Sequence, residues 1–589
     1  MYRNMATRRN KARRTQIWAT KATAALLLAL THLAAHADDD DCRVVLGDPE
    51  ATEVVAFPGI GAGAALASAG DLDLDGLDDW LVGAPDFSMS GSPPAIGAAA
   101  LYLGSSDPAE RIEPDILFVG EGAHDRAGTS VAGDFDFDGD GIPDLLIGAE
   151  QFHRPSLSEV AADGDPAGGC VAGEACGEGR VYLIFFRPEE YDLADPATDV
   201  VDLSTVGQPG GVSGVVLVGG QIGDRAGASV SGGGRMNEDL YDDIAIGAPG
   251  RDTAAGADAG TVFVLFGGPP SRLGRPLPGS LRLDAGAQSL GVIYVGDGAG
   301  DALGSAVAFP GDVVGSSGAD LVMGAPGTDV LALDAGTVFG AAGGNAKRET
   351  IEACTLGYSS EGFQLHGSQM GEALGSAVAG GGDNLVDGQA DLLIGAPGFD
   401  RGTAADAGRV AQTASKLPMA VLSIDSVGAG PGARESIAGV LYLGASAGDR
   451  LGSAVAGIEA TAPGEADRIA RGAPSADLPG AADSGQVYVR SGSPSPSPPT
   501  VVDVAAFPGV TFLGAHPGQR AGASLGGAGD LDADGMADFL IGAPGHPPKP
   551  DAGGHGRVFL VLEQPDDCDG GDDDDGDGDD DDDGDGDDD

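Results

Sequence analysis

Aromatic side chains make up only 5% of the 589 residues, and the 32 Lys and Arg are far outnumbered by 91 Asp and Glu. After residue 37 no stretch is apolar over the roughly 20 residues that a bilayer span requires. Long helical periodicity is missing from the body of the chain, which argues against a helical bundle. The histidines after residue 37 are His124, His153, His366, His516, His546 and His555; they show no H-E-x-x-H and no zinc spacing. There is no phosphate-binding loop either. Glycine is abundant, 102 residues, but without a Gly-X-Y period, so the chain is not collagen. A net charge of −59 repels nucleic acid and anionic lipid and attracts cations.

Residues 1–37 read as a signal peptide. Arg3, Arg8, Arg9, Lys11, Arg13, Arg14 and Lys21 form a basic segment, Ala22 to Ala35 an apolar one, and Ala35-His36-Ala37 a cleavage site. An uncleaved anchor is the alternative. Removal takes away 7 of the 32 basic residues and no acid, leaving 25 against 91 and a net charge of −66. Residues 566–589, with 17 Asp in 24 positions, cannot bury a core and read as a disordered acidic tail. Five cysteines in an exported chain leave one unpaired. Cys170 and Cys176 flank a short Gly-rich loop and are expected to pair, Cys42 and Cys568 bracket the region between leader and tail as a second candidate disulfide, and Cys354 is the odd thiol.

Between them, over 38–565, one unit returns seven times. Its clearest copies are GDLDLDGLDDWLVGAP (Gly70 to Pro85), GDFDFDGDGIPDLLIGAE (Gly133 to Glu150) and GDLDADGMADFLIGAP (Gly529 to Pro544). The glycine of the closing Gly-Ala falls at Gly83, Gly148, Gly247, Gly324, Gly395, Gly472 and Gly542. Upstream comes a turn and strand such as DRAGTSVAG from Asp125; downstream come a third strand such as DAGTVFVLFG from Asp258 and a fourth such as VIYVG from Val292. Short β-branched and aromatic runs bounded by Gly, Asp and Pro are strand signals. Four strands repeated seven times predict an all-β, seven-bladed propeller. The chain opens on a lone fourth-type strand, Glu53 to Gly59, and ends on a third-type strand, Arg557 to Glu563. Pairing these two would complete the last blade, close the ring and bring Cys42 towards Cys568.

The G-x-S-V-A-G strand followed by D-x-D-x-D-G-x-x-D and an apolar G-A-P run resembles the FG-GAP repeat of the integrin alpha N-terminal β-propeller, and in particular its bacterial-type secreted form. The resemblance covers roughly Glu53 to Glu563. It implies a seven-bladed propeller with calcium held between the first two strands of some blades. Leg domains, an inserted D-x-S-x-S metal site and an Arg-Gly-Asp are missing, so integrin-style ligand binding does not carry over.

Such a loop offers side-chain oxygens at its first, third, fifth and ninth positions and a carbonyl at the seventh, with glycine at the sixth to turn the chain. All-oxygen ligands on a short flexible loop suit Ca²⁺. Two carboxylates about 4 Å apart repel by about 4 kcal/mol at an effective dielectric near 20, so four converging ones call for a cation. Blade 1 is complete with Asp71, Asp73, Asp75, Leu77 (carbonyl) and Asp79. Blade 2 offers Asp136, Asp138, Asp140, Ile142 (carbonyl) and Asp144, with Asp134 as an extra carboxylate and a register shifted by two as an alternative. Blade 7 offers Asp530, Asp532, Asp534, Met536 (carbonyl) and Asp538. Blade 5 keeps Asp383, Asp387 and Asp391 but has Leu385 at the third position, a weak fourth site. In blade 3 Arg235 takes the first position, where it can stand in for the ion's charge. Blade 4 keeps Asp312 and Asp320, and blade 6 has Arg468 at the ninth position.

Two G-x-S-x-G matches, at Ser446 and Ser524, fall inside repeat strands or their turns and not in a strand-turn-helix, so neither reads as a nucleophile. FG-GAP propellers also accompany a phospholipase D domain in one enzyme family, but the residues outside these repeats are too few for one. The expectation is therefore a monomeric, calcium-stabilised, non-enzymatic binding or adhesion module, secreted or on the cell surface, with the periplasm as a further compartment. Its partner would be an extracellular protein or glycan. The alternatives are a polysaccharide hydrolase or lyase and a purely structural matrix component.

Overall fold

In the computed structural model the description runs from 43 to 562 and omits 47–52, 56–60, 89–94, 107–112, 123, 152–176, 192, 194–198, 270–279, 285–286, 316–317, 345–346, 386–387, 414–415, 429–436, 462–466, 493–500, 508 and 546–555. The leader, the acidic tail, Cys42, Cys170, Cys176 and Cys568 lie outside the described residues, so the expected disulfides do too. Cys354 is a free thiol. No helix among the described residues is long and apolar enough to cross a membrane.

Seven antiparallel sheets form a closed propeller, as the repeat predicts. In blade 1 the strands are Ala65–Gly70, Asp79–Ala84, Ala98–Tyr102 and Ile116–Val119, in that order from the axis outward. The first strands touch one another in turn around the axis, and that of blade 7, Ser524–Gly529, meets that of blade 1. The second strands are buried along their length, as in Asp79–Ala84 and Asp538–Ala543. Apolar clusters fill the seams between blades: Trp80 stacks on Tyr102 with centroids 4.1 Å apart, and they share a cluster with Leu540 and Val558 of blade 7. Burial of each such side chain contributes roughly 1.5–3 kcal/mol.

The glycines of Gly-Ala-Pro are explained by close approach of neighbouring backbones. A Cβ on Gly83 would lie 2.1 Å from the carbonyl oxygen of Gly128 in the next blade, and one on Gly472 2.1 Å from that of Gly522. The same contact from Gly542 to Gly63, at 2.3 Å, closes the ring. Its receiving glycines have positive φ, for example Gly128 at 82° and Gly63 at 77°, so both partners are constrained.

The terminal clasp forms as expected. Glu53–Val55 pairs antiparallel with Arg557–Val561, placing Val54 opposite Phe559. The four-strand expectation needs one correction: six of the sheets carry a fifth strand. In blades 1 to 5 this strand comes from the connection between the third and fourth strands of the following blade. It adds in parallel to the outer edge, as Asp199–Asp202 does on Ile116–Val119. Arg43–Leu46 does the same for blade 6 by pairing with Val510–Gly514. The sequence hides these strands because they are three or four residues long and half exposed. They cover outer edges that would otherwise be open.

Candidate metal centres

Antiparallel succession puts every first-to-second loop on one face of the ring, together with the ends of the third strands. In blade 1 the first strand ends at Gly70 and Asp71 folds back under the loop. Its Oδ1 accepts the Asp75 N–H at 3.0 Å and its Oδ2 the Gly76 N–H at 3.0 Å. Asp73 accepts the Asp75 N–H at 3.2 Å and Asp75 the Leu77 N–H at 2.9 Å. Gly76 has φ 97° and open space where a Cβ would be, so conformation and not crowding requires glycine there.

Blade 7 repeats this. Asp530 accepts from Ala533 at 2.9 Å and Gly535 at 3.0 Å, Asp532 from Asp534 at 3.2 Å, and Asp534 from Met536 at 2.7 Å. In blade 2 the corresponding acceptor is Asp136, which takes the N–H of Gly139, Asp140 and Gly141 at 2.7–3.1 Å, while Asp140 takes that of Ile142. The hydrogen-bond register therefore follows Asp136, not Asp134. Asp134 lies within the first strand instead, one residue before its end, at φ 58°.

Three carboxylates converge, with ligand atoms within 4.8 Å of one another, in each of these loops: Asp71, Asp73 and Asp75; Asp136, Asp138 and Asp144; Asp530, Asp532 and Asp538. Asp79, Asp140 and Asp534 stay outside these triplets. Asp79 is occupied twice over, accepting from Leu72 and from Gly104, both at 2.8 Å. Asp144 and Asp538 each use only one oxygen, on Phe137 and Asp138 and on Leu531 respectively. The other oxygen of each, like Oδ1 of Asp138, is buried and accepts no hydrogen bond among the described residues. Orphaned buried oxygens beside further carboxylates fit a hard cation such as Ca²⁺.

Electrostatics point the same way. Burial pushes Asp79 up to about 8 against the pull of two backbone N–H groups, with Asp73 and Asp71 adding to it. Burial likewise takes Asp538 to about 8, and Asp144 is raised well above the usual carboxylate range, by burial and then by Asp138. Asp73 is raised by burial and then by Asp75. Each of these groups calls for a proton or a cation.

The other loops are held differently. In blade 5 Asp383 accepts from Gly388, and Asp391 from Leu385 and Gln412; Asp387 lies outside the described residues, and no triplet forms there among those described. Arg235 of blade 3 pairs with Asp242 at 2.8 Å, and Lys416 pairs with Asp312 of blade 4.

Sequence reasoning missed the acid just before the ninth position. Asp78 of blade 1 accepts the Asp530 N–H of blade 7 at 3.1 Å, Asp242 of blade 3 that of Asp136 at 2.9 Å, and Asp467 of blade 6 that of Asp383 at 2.6 Å. Each fixes the first carboxylate of the preceding blade's loop. The available signal was an extra Asp in three of the seven copies.

The FG-GAP repeat family matches residues 127–184, from the first through the third strand of blade 2. Integrin alpha pat-2 of Caenorhabditis briggsae is 40% identical over 92 residues, 15% of this chain and 7% of that protein. Integrin alpha-5 of Xenopus laevis is 40% identical over 85 residues, 14% and 8% of the two chains. The phosphatidylinositol-glycan-specific phospholipase D of Bos taurus is 33% identical over 123 residues, 20% and 14%. The chain thus spans less than a sixth of the length of each of these relatives. All are animal proteins, and the expected bacterial type is not borne out. Seven blades in one register, with the FG-GAP repeat match in blade 2, make this β-propeller similar to FG-GAP repeat proteins and to integrin alpha subunits.

Proposed function

We propose that this is an exported binding or adhesion module in which calcium in the loops of blades 1, 2 and 7 stiffens one face of the ring while the opposite face meets a partner. Asp71, Asp73, Asp75, the Leu77 carbonyl and Asp79 would serve blade 1. Asp136, Asp138, Asp140, the Ile142 carbonyl and Asp144 would serve blade 2. Asp530, Asp532, Asp534, the Met536 carbonyl and Asp538 would serve blade 7. Asp383, Asp387 and Asp391 would make a weaker fourth site. The ion's part is to cancel repulsion that would splay the hairpins; the chain's own carboxylates and N–H groups fix the loop around it.

The observation that carries the binding role lies on the face away from these loops. In blade 4 the turn between second and third strands exposes Val330, Leu331 and Leu333, and Met370 is exposed next to it, where the Gly371 N–H meets the Leu333 carbonyl at 2.9 Å. The corresponding turns in blades 3 and 5 carry Thr253, Ala254 and Ala255, and Thr403, Ala404 and Ala405. Apolar side chains gathered on one exposed turn favour a protein or glycan partner.

A second reading, hydrolysis of a polysaccharide, draws on an open cavity of about 740 Å³ lined by Asp134, Arg235, Glu238, Asp239 and Asp242. Burial there, then Asp78, Glu459 and Asp242, raises Asp134 to about 6, within reach of general-acid work. Glycan and protein arrays with and without EDTA, run beside a polysaccharide hydrolysis screen, separate the two. Calcium-dependent binding without turnover is expected. Turnover that Asp134→Asn abolishes would replace the first reading with the second.

A further inference from the structure

We infer that Arg187 is a built-in cation of the blade 2 loop, which calcium must displace, so that this side chain sets the calcium affinity of that centre. The inference rests on the calcium reading above. The third strand of blade 2, Arg180–Ile184, continues through Phe185 and Phe186 to Arg187, which is extended at φ −137° and ψ 102° and runs into a turn begun by Pro188. Its backbone is anchored by buried aromatics: Phe185 stacks on Phe137 of the loop at 6.4 Å, and Phe186 on Tyr191 at 4.7 Å. From that fixed point the guanidinium donates to Asp138 Oδ2 at 2.7 Å and pairs with Asp140. These acids hold the third and fifth loop positions, both of which a calcium ion would take.

Comparison with the other blades shows what has been exchanged. In blades 1, 3 and 4 the ninth-position aspartate, Asp79, Asp243 or Asp320, accepts the N–H of a glycine that closes the third strand: Gly104, Gly267 or Gly343. Strand register puts Phe186 at that place in blade 2, because Ile184 faces Leu145 as Tyr102 faces Trp80. Among the described residues no N–H reaches Asp144 Oδ1, which is buried. Blade 2 has thus lost a backbone cap and gained a side-chain cation one residue further on. Among the described residues no Lys or Arg pairs with Asp71, Asp73 or Asp75 of blade 1.

One guanidinium offsets a single charge among Asp136, Asp138, Asp140 and Asp144, and it leaves Oδ1 of both Asp138 and Asp144 unmet. A divalent ion offsets two charges and can meet oxygens that a planar fork does not reach. The loop therefore exchanges between an arginine-held form at low calcium and an ion-held form at high calcium, and stays folded in both. Blade 1 has no such fallback.

Calorimetric titration of the full chain with calcium tests this in an Asp73→Ala/Asp532→Ala background, which leaves blade 2 as the strong centre. Arg187→Met keeps the apolar stem and removes the charge. It is expected to tighten calcium binding at least tenfold and to lower the melting temperature in EDTA, whereas Arg187→Lys should fall between. Further replacement of Asp138 by Asn should abolish the tightened binding, assigning it to this loop. Unchanged or weaker binding by the folded Arg187→Met chain would overturn the inference. So would no binding in either form while the unmutated chain binds calcium elsewhere. If the unmutated chain binds none at all, the calcium reading itself fails, and the two failures are told apart by that control.

Discussion

Blades 1 and 6 carry opposite charges at the ninth position of their first hairpin, Asp79 against Arg468. Blade 1 gathers Asp71, Asp73 and Asp75 around one point and buries Asp79 behind them. Blade 6 has Arg468 at the ninth position, buried and donating to the Ala537 carbonyl of blade 7. Three residues on, where the other blades carry Val, Ile or Met, Arg471 is wholly buried. Its guanidinium lies 3.7 Å from the Tyr442 ring centroid and donates to Gln412 Oε1 and the Ile469 carbonyl, both at 3.2 Å. The first hairpin gathers three carboxylates about one point, and the second sets arginines at its base. What they share is the backbone seam, Gly83 against Gly128 and Gly472 against Gly522. The fold therefore belongs to the glycines and the buried strands, and the charges decide only what the loops depend on.

The most damaging way to break the comparison is at the shared seam. Gly83→Ala and Gly472→Ala each push a Cβ to 2.1 Å from a carbonyl oxygen of the next blade. Each is expected to cost about 3 kcal/mol or more, since backbone must move. Chemical denaturation should find the two losses similar and the same in calcium as in EDTA. The next effect separates the blades. Arg471→Ala removes a buried cation and leaves a cavity beside Tyr442 and Gln412, an expected loss of about 2–4 kcal/mol that calcium does not change. Asp73→Ala should instead lose only a calcium-dependent increment, about 1–2 kcal/mol at an ion concentration ten times the dissociation constant. Asp532→Ala should match it, and Asp138→Ala should lose less, because Arg187 already holds part of that loop. Melting curves across a calcium titration read all three. Equal increments at blades 1 and 2 would remove the distinction between them.

Much of this was legible in the chain because it repeats. Gly-Ala recurs wherever two backbones touch, and the lone strand Glu53–Val55 pairs with Arg557–Val561. The three acidic loops stood out for the same reason, since carboxylates at their first, third and fifth positions form a periodic signal. What escaped was contact without period. Arg187 reaches Asp138 across 49 residues, from a position that is Ser105 in blade 1 and Gly268 in blade 3. Asp78 reaches blade 7 across 452 residues. Fifth strands such as Thr350–Glu352 were hidden by their half-exposed alternation, which reads as connector until an outer edge is there to receive them.

The smallest expected effect tests whether burial alone, without a cluster, leaves a mark. Asp243 of blade 3 is fully buried and accepts from Met236 at 2.8 Å and Gly267 at 3.0 Å. Burial nevertheless raises it to about 7, against those two N–H groups and with Asp239 and Asp242 adding to the rise. In the unfolded chain its pKa is near 4. Between about pH 4 and about 7 the folded state therefore keeps a proton that the unfolded state has released. Stability must then fall as pH rises through that window and level off above it. Asp243→Asn stays neutral throughout, so whatever its offset at pH 4, its stability in EDTA should decline less steeply to pH 7 than that of the unmutated chain. Equal slopes would mean that the two N–H groups already balance the burial of Asp243. Blade 3 would then need neither proton nor ion, and carboxylate burial would demand a cation only where several acids converge.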